Sequence, residues 1–122
     1  MKKNILVIED DEDTLVLLEE MLRYSDFEAK GIRETRDILK VIDEVKPDLL
    51  LTDYILRGIN GGELCHQVKT NPKTAHLPVV LMSAYPRVLE SLGNYGCDVF
   101  ITKPFDMNHL ITSINDCLHI AV

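Results

Sequence analysis

Five side chains able to do chemistry stand where apolar runs of the sequence stop. Ile5-Leu6-Val7-Ile8 stops on Glu9-Asp10, and Leu49-Leu50-Leu51-Thr52 stops on Asp53. The run Leu77 to Met82 stops on Ser83, and Val99-Phe100-Ile101-Thr102 stops on Lys103. Three carboxylates brought together repel one another, and a hard, oxygen-seeking dication relieves that repulsion. Few protein ligands, with positions left for water and phosphate, suit Mg²⁺ better than a closed Ca²⁺ cage. An ammonium facing the acids can neutralise the oxygens of an incoming phosphoryl group, and a hydroxyl can donate a hydrogen bond to one of them. One carboxylate is then left as a nucleophile able to form an aspartyl phosphate.

That chemistry needs the run ends on one edge, which a parallel sheet provides. Runs without polar alternation read as strands covered on both faces. Four such runs are expected, Ile5–Ile8, Leu49–Asp53, Leu77–Ser83 and Val99–Thr102, with Phe27–Gly31 as a weaker strand that makes the fifth. Helical spacing separates them. A helix from near Asp13 carries Leu15, Leu18 and Leu22, and Thr35–Val45 carries Ile38, Val41, Ile42 and Val45 before Lys46-Pro47 stops it. Glu63–Thr70 carries Leu64, Cys65 and Val68 and ends at Pro72. A short helix fits only Arg87–Leu92, before Gly93 and Gly96. Asp106 caps a last helix with Leu110, Ile111, Ile114, Cys117 and Leu118 inward. The alternation predicts a doubly wound α/β fold, a five-stranded parallel sheet with helices on both faces, forming one domain over residues 1–122.

Composition removes several function classes. A net charge of −7 argues against direct nucleic-acid binding, which needs a basic footprint. The apolar segment after Met1-Lys2-Lys3-Asn4 is too short for a signal core or membrane insertion, so a cytoplasmic setting is expected. Cys65, Cys97 and Cys117 are odd in number with no C-x-x-C pair and read as buried free thiols. His66, His76, His109 and His119 have no ligand spacing and read as surface or helix-face groups; Tyr24, Tyr54, Tyr85 and Tyr95 read as packing or rim residues. Asp11, Glu12 and Asp13 read as solvated helix-start charges, and the glycine a calcium loop needs is missing after them. A haloacid-dehalogenase-type phosphatase needs a second aspartate two residues beyond its nucleophile, where Ile55 follows Asp53 and Glu12 follows Asp10.

The chain resembles the receiver domains of bacterial response regulators, in the CheY-like superfamily. Ile5 through Asp11 is similar to their first-strand motif, Pro47 through Asp53 to the phosphoacceptor strand, and Leu56 through Gly61 to the following loop. Val79 to Ala84 is similar to the strand bearing the switch hydroxyl, and Phe100-Ile101-Thr102-Lys103-Pro104-Phe105 to the lysine motif. The resemblance implies a flavodoxin-like (βα)₅ fold with strand order 2-1-3-4-5. It implies Asp53 as acceptor of a phosphoryl group from a histidine kinase or phosphotransfer protein. Asp10 would bind Mg²⁺ directly, Glu9 through water, and the Ile55 carbonyl would join Asp53 as a further ligand. Ser83 and Lys103 would contact the phosphoryl oxygens, and Ser83 and Phe100 would be the switch positions. Such a domain catalyses its own phosphorylation and dephosphorylation rather than turning over a substrate. It signals to a downstream protein target, here unnamed, and a phosphorylation-dependent homodimer is among the assemblies the resemblance allows. With no output domain after Val122, the chain reads as a free-standing receiver or as a domain excised from a larger regulator or hybrid kinase.

The sequence departs from the family pattern at a few positions. Arg57 stands where the loop usually has proline, and Phe100 lacks the hydroxyl of a tyrosine. Ile55 and Tyr85, at positions that tune phosphoryl lifetime, are bulky enough to hinder hydrolytic water, so self-dephosphorylation is expected to be slow. The stretch from Ser83 to Lys103 is about two residues shorter than usual for the family. That altered stretch supports an alternative: a receiver-fold interaction module that works independently of phosphorylation.

Overall fold

The computed structural model describes residues 2–54, 56, 60–84, 97–104 and 106–119. Among them the order is β1 (Asn4–Ile8), α1 (Glu12–Tyr24), β2 (Glu28–Ile32), α2 (Ile38–Val45), β3 (Leu49–Asp53) and α3 (Gly61–Thr70), then β4 (Val79–Ser83), β5 (Val99–Thr102) and α4 (Met107–Leu118). The strands form one sheet in the order β2-β1-β3-β4-β5, parallel throughout. The expected fold and strand order are therefore those observed. The helix expected over 87–92 lies outside the described residues.

The unbroken apolar runs have a simple cause: alternate residues of each strand feed different cores. Leu6, Ile8, Leu50, Val79 and Leu81 pack with Ile38 and Ile42 of α2 and Leu64, Cys65 and Val68 of α3. Their neighbours Ile5, Val7, Leu49, Leu51, Val80 and Met82 pack with Leu15, Leu18 and Leu22 of α1 and Leu110 and Ile114 of α4. A strand buried on both faces has no place for polar alternation. β2 is the polar exception, with Glu28 and Lys30 exposed and the rest half-buried, and sits at the edge.

Element boundaries differ from expectation where polar caps act. α1 begins at Glu12 because Asp11 caps it, its carboxylate accepting the Thr14 amide at 3.0 Å; Asp11 is the exposed helix-start charge expected and the cap as well. Burying each of Leu15, Leu18 and Leu22 is worth about 1.5–3 kcal/mol, against about 1 kcal/mol for a cap. Packing therefore holds the helix, and the cap sets where it starts. α2 begins three residues later than Thr35 because Asp37 takes the cap position and accepts the Lys40 amide. α3 begins at Gly61, earlier than Glu63, because Asn60 accepts the Glu63 amide at 2.8 Å. It stops at Thr70 because Asn71, preceding Pro72, is driven into extended backbone. β4 starts at Val79, since Pro78 has no amide to give a ladder and Leu77 closes a turn onto Thr74. β2 runs Glu28–Ile32, one residue later than expected, with Phe27 buried in the core before it.

Candidate functional site

The carboxyl ends of the parallel strands bring four of the five chemistry-bearing side chains to one edge. Ile8 is level with Thr52, Asp53 with Met82, and Ser83 with Thr102, so Glu9, Asp53, Ser83 and Lys103 follow at neighbouring strand ends. The ladder runs on past the strands: the Tyr54 amide donates to the Met82 carbonyl at 2.7 Å, and the Lys103 amide to the Ser83 carbonyl at 2.8 Å. Glu9, Asp53 and Ser83 are almost fully buried, 3%, 6% and 1% exposed.

Lys103 bridges the two buried acids. Its Nζ lies 2.8 Å from Asp53 Oδ1 and donates to Glu9 Oε2 at 3.2 Å. Burial alone would push the ammonium pKa down, but the bonds to Asp53 and Glu9 outweigh it and hold the pKa above the usual lysine value. Glu9 goes the other way from a paired acid. Burial and the neighbouring Asp53 charge raise its carboxyl above the ordinary range, and Lys103 offsets this only in part. Lys103 thus compensates the buried Glu9 carboxylate incompletely.

This imbalance has a measurable sign. A carboxyl whose folded pKa is raised contributes stability below its unfolded value and loses it as pH rises through the folded value. Glu9→Gln is therefore expected to stabilise the fold at pH 7 by about 1 kcal/mol. Urea denaturation should show that gain vanishing as pH falls below 4.5, the ordinary glutamate value. A variant less stable than the parent at pH 7 would contradict the imbalance.

Asp10 is placed differently. Its backbone carbonyl accepts both Nε and Nη2 of Arg33 at 3.2 Å. It lines an acid-rich cleft of about 330 Å³ with Asp11, Glu12, Asp13 and Arg33. Glu9 Oε1 accepts the Asp11 amide at 3.4 Å, which holds the turn between the two acids. Arg33 went unnoticed in the sequence, although it directly follows β2 and so lies on the same sheet edge.

Gly61 is a second residue whose role its place in the glycine-rich loop does not announce. Its amide donates to the Tyr54 carbonyl at 2.9 Å, closing the loop after Asp53. A methyl group there would run into the Asp53 backbone carbonyl and come within 2.9 Å of Leu81 Cδ1. The lack of a side chain lets α3 seat directly against the backbone that carries the carboxylate. Gly61→Ala is expected to cost about 1–3 kcal/mol by overpacking, read as a lower urea midpoint at unchanged slope. The Gly61-Gly62 pair eight residues after Asp53 was the available signal.

Hard oxygen donors beside incompletely compensated buried charge suit a dication such as Mg²⁺. Among the described residues no three acids, histidines or cysteines are gathered into a cation cage, and Lys103 holds two of the acids together. Phe100 lies level with Leu81 in β5, half-buried against the core under α2 and α3. Ile55, Arg57, Tyr85 and the stretch 86–96 lie outside the described residues. Among those described, no helix is long and apolar enough to cross a membrane. Tyr24 is a rim residue, 81% exposed.

The family model described as response regulator receiver domain matches residues 5–115. The phosphate regulon transcriptional regulatory protein PhoB of Rhizobium meliloti is 32% identical over 123 residues, covering 99% of this chain and 54% of PhoB. The chain thus spans about half the length of that relative. The polar-differentiation response regulator DivK of Brucella anthropi is 28% identical over 120 residues, covering 97% of this chain and 98% of DivK. The crystal structure of response regulator TrrA from Thermotoga maritima, in complex with Mg²⁺–BeF, superposes with a TM-score of 0.86 at 25% identity, covering 96% of this chain and 99% of that one.

Proposed function

The chain belongs to the response regulator receiver domain family of two-component systems, and from that membership we propose that Asp53 is its phosphoacceptor. In this reading an Asp53 oxygen attacks the phosphorus of a partner kinase's or phosphotransfer protein's phosphohistidine. The new O–P bond forms as the P–N bond breaks, and the imidazole keeps the electron pair. Lys103, 2.8 Å from Asp53 Oδ1, lies where charge gathers on the transferring group and would follow it onto the phosphoryl oxygens. The Ser83 hydroxyl, at the adjoining strand end, would donate to another of those oxygens. The observation that carries the reading is the pairing of Lys103 with a buried aspartate at the carboxyl edge of a parallel sheet.

Glu9, Asp10, Asp53 and the main-chain carbonyl of Ile55 would hold Mg²⁺, whose charge would offset that of the phosphoryl group. TrrA, crystallised with Mg²⁺–BeF, supports the choice of ion. Ser83 and Phe100 would carry the change outward, since a phosphoryl group drawing on the Ser83 hydroxyl alters the strand end two residues beyond the Phe100 partner, Leu81. We read the whole of 1–122 as one receiver unit, a switch rather than a turnover enzyme, acting in the cytoplasm on a downstream protein.

The test is intact-mass measurement after incubation with a small acyl phosphate. A gain of about 80 Da is expected with Mg²⁺, absent with a chelator, and mapping to the Asp53 peptide. A gain that persists under chelation, or maps elsewhere, would remove the assignment.

A further inference from the structure

We propose that Arg33 is a positioning residue for the metal, setting the affinity for Mg²⁺ by clamping the backbone of Asp10. The role rests on the reading that Asp10 is a Mg²⁺ ligand. Arg33 directly follows β2, and its exposed side chain reaches the acid loop at the end of β1. Nε and Nη2 both donate to the Asp10 carbonyl oxygen, each at 3.2 Å. Among the described residues no other group donates to that oxygen. The first turn of α1 does not use it, because the Thr14 amide is taken by the Asp11 carboxylate.

The clamp has a main-chain half. The Ile32 carbonyl accepts the Glu9 amide at 3.1 Å, so successive residues at the end of β2 hold successive acids at the end of β1. Only one peptide unit lies between the two that are held, and both acids spring from it. A carboxylate on a backbone already fixed has less ordering to lose when it takes a metal.

Arg33 also brings a charge. It lines the same cleft as Asp10, Asp11, Glu12 and Asp13, and a cation there repels a dication. Its side chain is exposed, so water and salt screen that repulsion. The two hydrogen bonds act at contact. Geometry therefore outweighs repulsion, and loss of the side chain weakens metal binding. The guanidinium forms its fork from nitrogens fixed in one plane, whereas a lysine ammonium keeps the charge but is a single point.

The test is calorimetric titration of Mg²⁺ into the full chain and into its Arg33→Gln, Arg33→Lys and Asp10→Asn forms. Arg33→Gln is expected to weaken Mg²⁺ binding about tenfold, and Arg33→Lys to recover little of that loss. Without metal, both Arg33 variants should keep the parent's urea midpoint, with amide NMR shifts changed only near 9–13 and 32–34. Equal or tighter binding by Arg33→Gln would overturn the clamp. So would parental affinity in Arg33→Lys, since the charge without the fork would then suffice. A lower metal-free midpoint, or shift changes spread across the sheet, would make Arg33 a general structural residue and overturn the proposal as well. A parent that takes up no Mg²⁺, or an Asp10→Asn form that binds it unchanged, would bring down the metal reading itself. If Asp10→Asn weakens binding and Arg33→Gln does not, only the positioning role falls.

Discussion

Asp53→Asn is expected to abolish the metal-dependent phosphoryl mass gain completely while leaving the fold intact. Asparagine keeps the shape and an oxygen at the Oδ1 position, so Lys103 retains an acceptor there, but a neutral amide oxygen is no nucleophile for phosphorus. The variant also removes the charge that helps raise the Glu9 carboxyl, so Glu9 should ionise more readily beside Lys103. An ionic hydrogen bond is weakened while a repulsion is relieved, and these oppose each other at about 1–3 kcal/mol each. The urea midpoint should therefore stay near that of the parent. A phosphoryl gain surviving in the Asn variant would move the nucleophile elsewhere. No gain in the parent either, with donor or with kinase, would favour the phosphorylation-independent module.

Lys103→Met should fail in two ways at once. Removing the ammonium takes away the fixed positive charge beside the transferring group, a loss of about 10²–10³-fold in the rate of phosphoryl uptake by analogy with other oriented charge stabilisers. It also strips the cation that Glu9 and Asp53 share. Breaking a fully buried ion pair from one side costs about 3–5 kcal/mol. Lys103 keeps 24% of its side chain in solvent, so a cost of about 2 kcal/mol is expected at pH 7.

The pH dependence identifies the cause. Without Lys103 the Glu9 carboxyl, already raised by burial and by Asp53, rises further. The folded state then holds a proton that the unfolded chain releases, so the stability deficit should shrink as pH falls from 7 to 5. In the parent, the raised Lys103 pKa places its own contribution across the whole neutral range, lost only as pH rises through the folded value, above 10.5. A deficit that is the same at pH 5 and pH 7 would point to lost packing of the lysine stem instead. Lys103→Arg should restore most of the stability.

Much of this site was legible in the chain because a parallel sheet is unusually explicit in sequence. β1, β3, β4 and β5 are covered on both faces, so they read as unbroken apolar runs, and the first polar residue after each marks the functional edge. Glu9, Asp53, Ser83 and Lys103 were found that way. The caps were harder. Asp11 and Asp37 sit among other charged residues, and only their hydrogen bonds to Thr14 and Lys40 show which acid ends the loop and starts the helix.

The amino-acid sequence by itself determined which residues could do chemistry, that they end strands, and that the sheet is parallel and doubly wound. These follow from residue type and period, which are local properties. Only the tertiary structure decided which of those residues touch. Lys103 meets Asp53 because β5 lies two strands from β3, a span of about 10 Å that a four-carbon side chain crosses over the end of β4. Glu9, 94 positions away in sequence, meets the same ammonium from the end of β1, the strand next to β3. Gly61 proved to be a seat for the Asp53 backbone, and Cys65 and Cys97 proved to belong to one core, through the docking of α3 on the sheet. Register and helix docking are set by the packing of whole faces, and no single residue's type or spacing carries them.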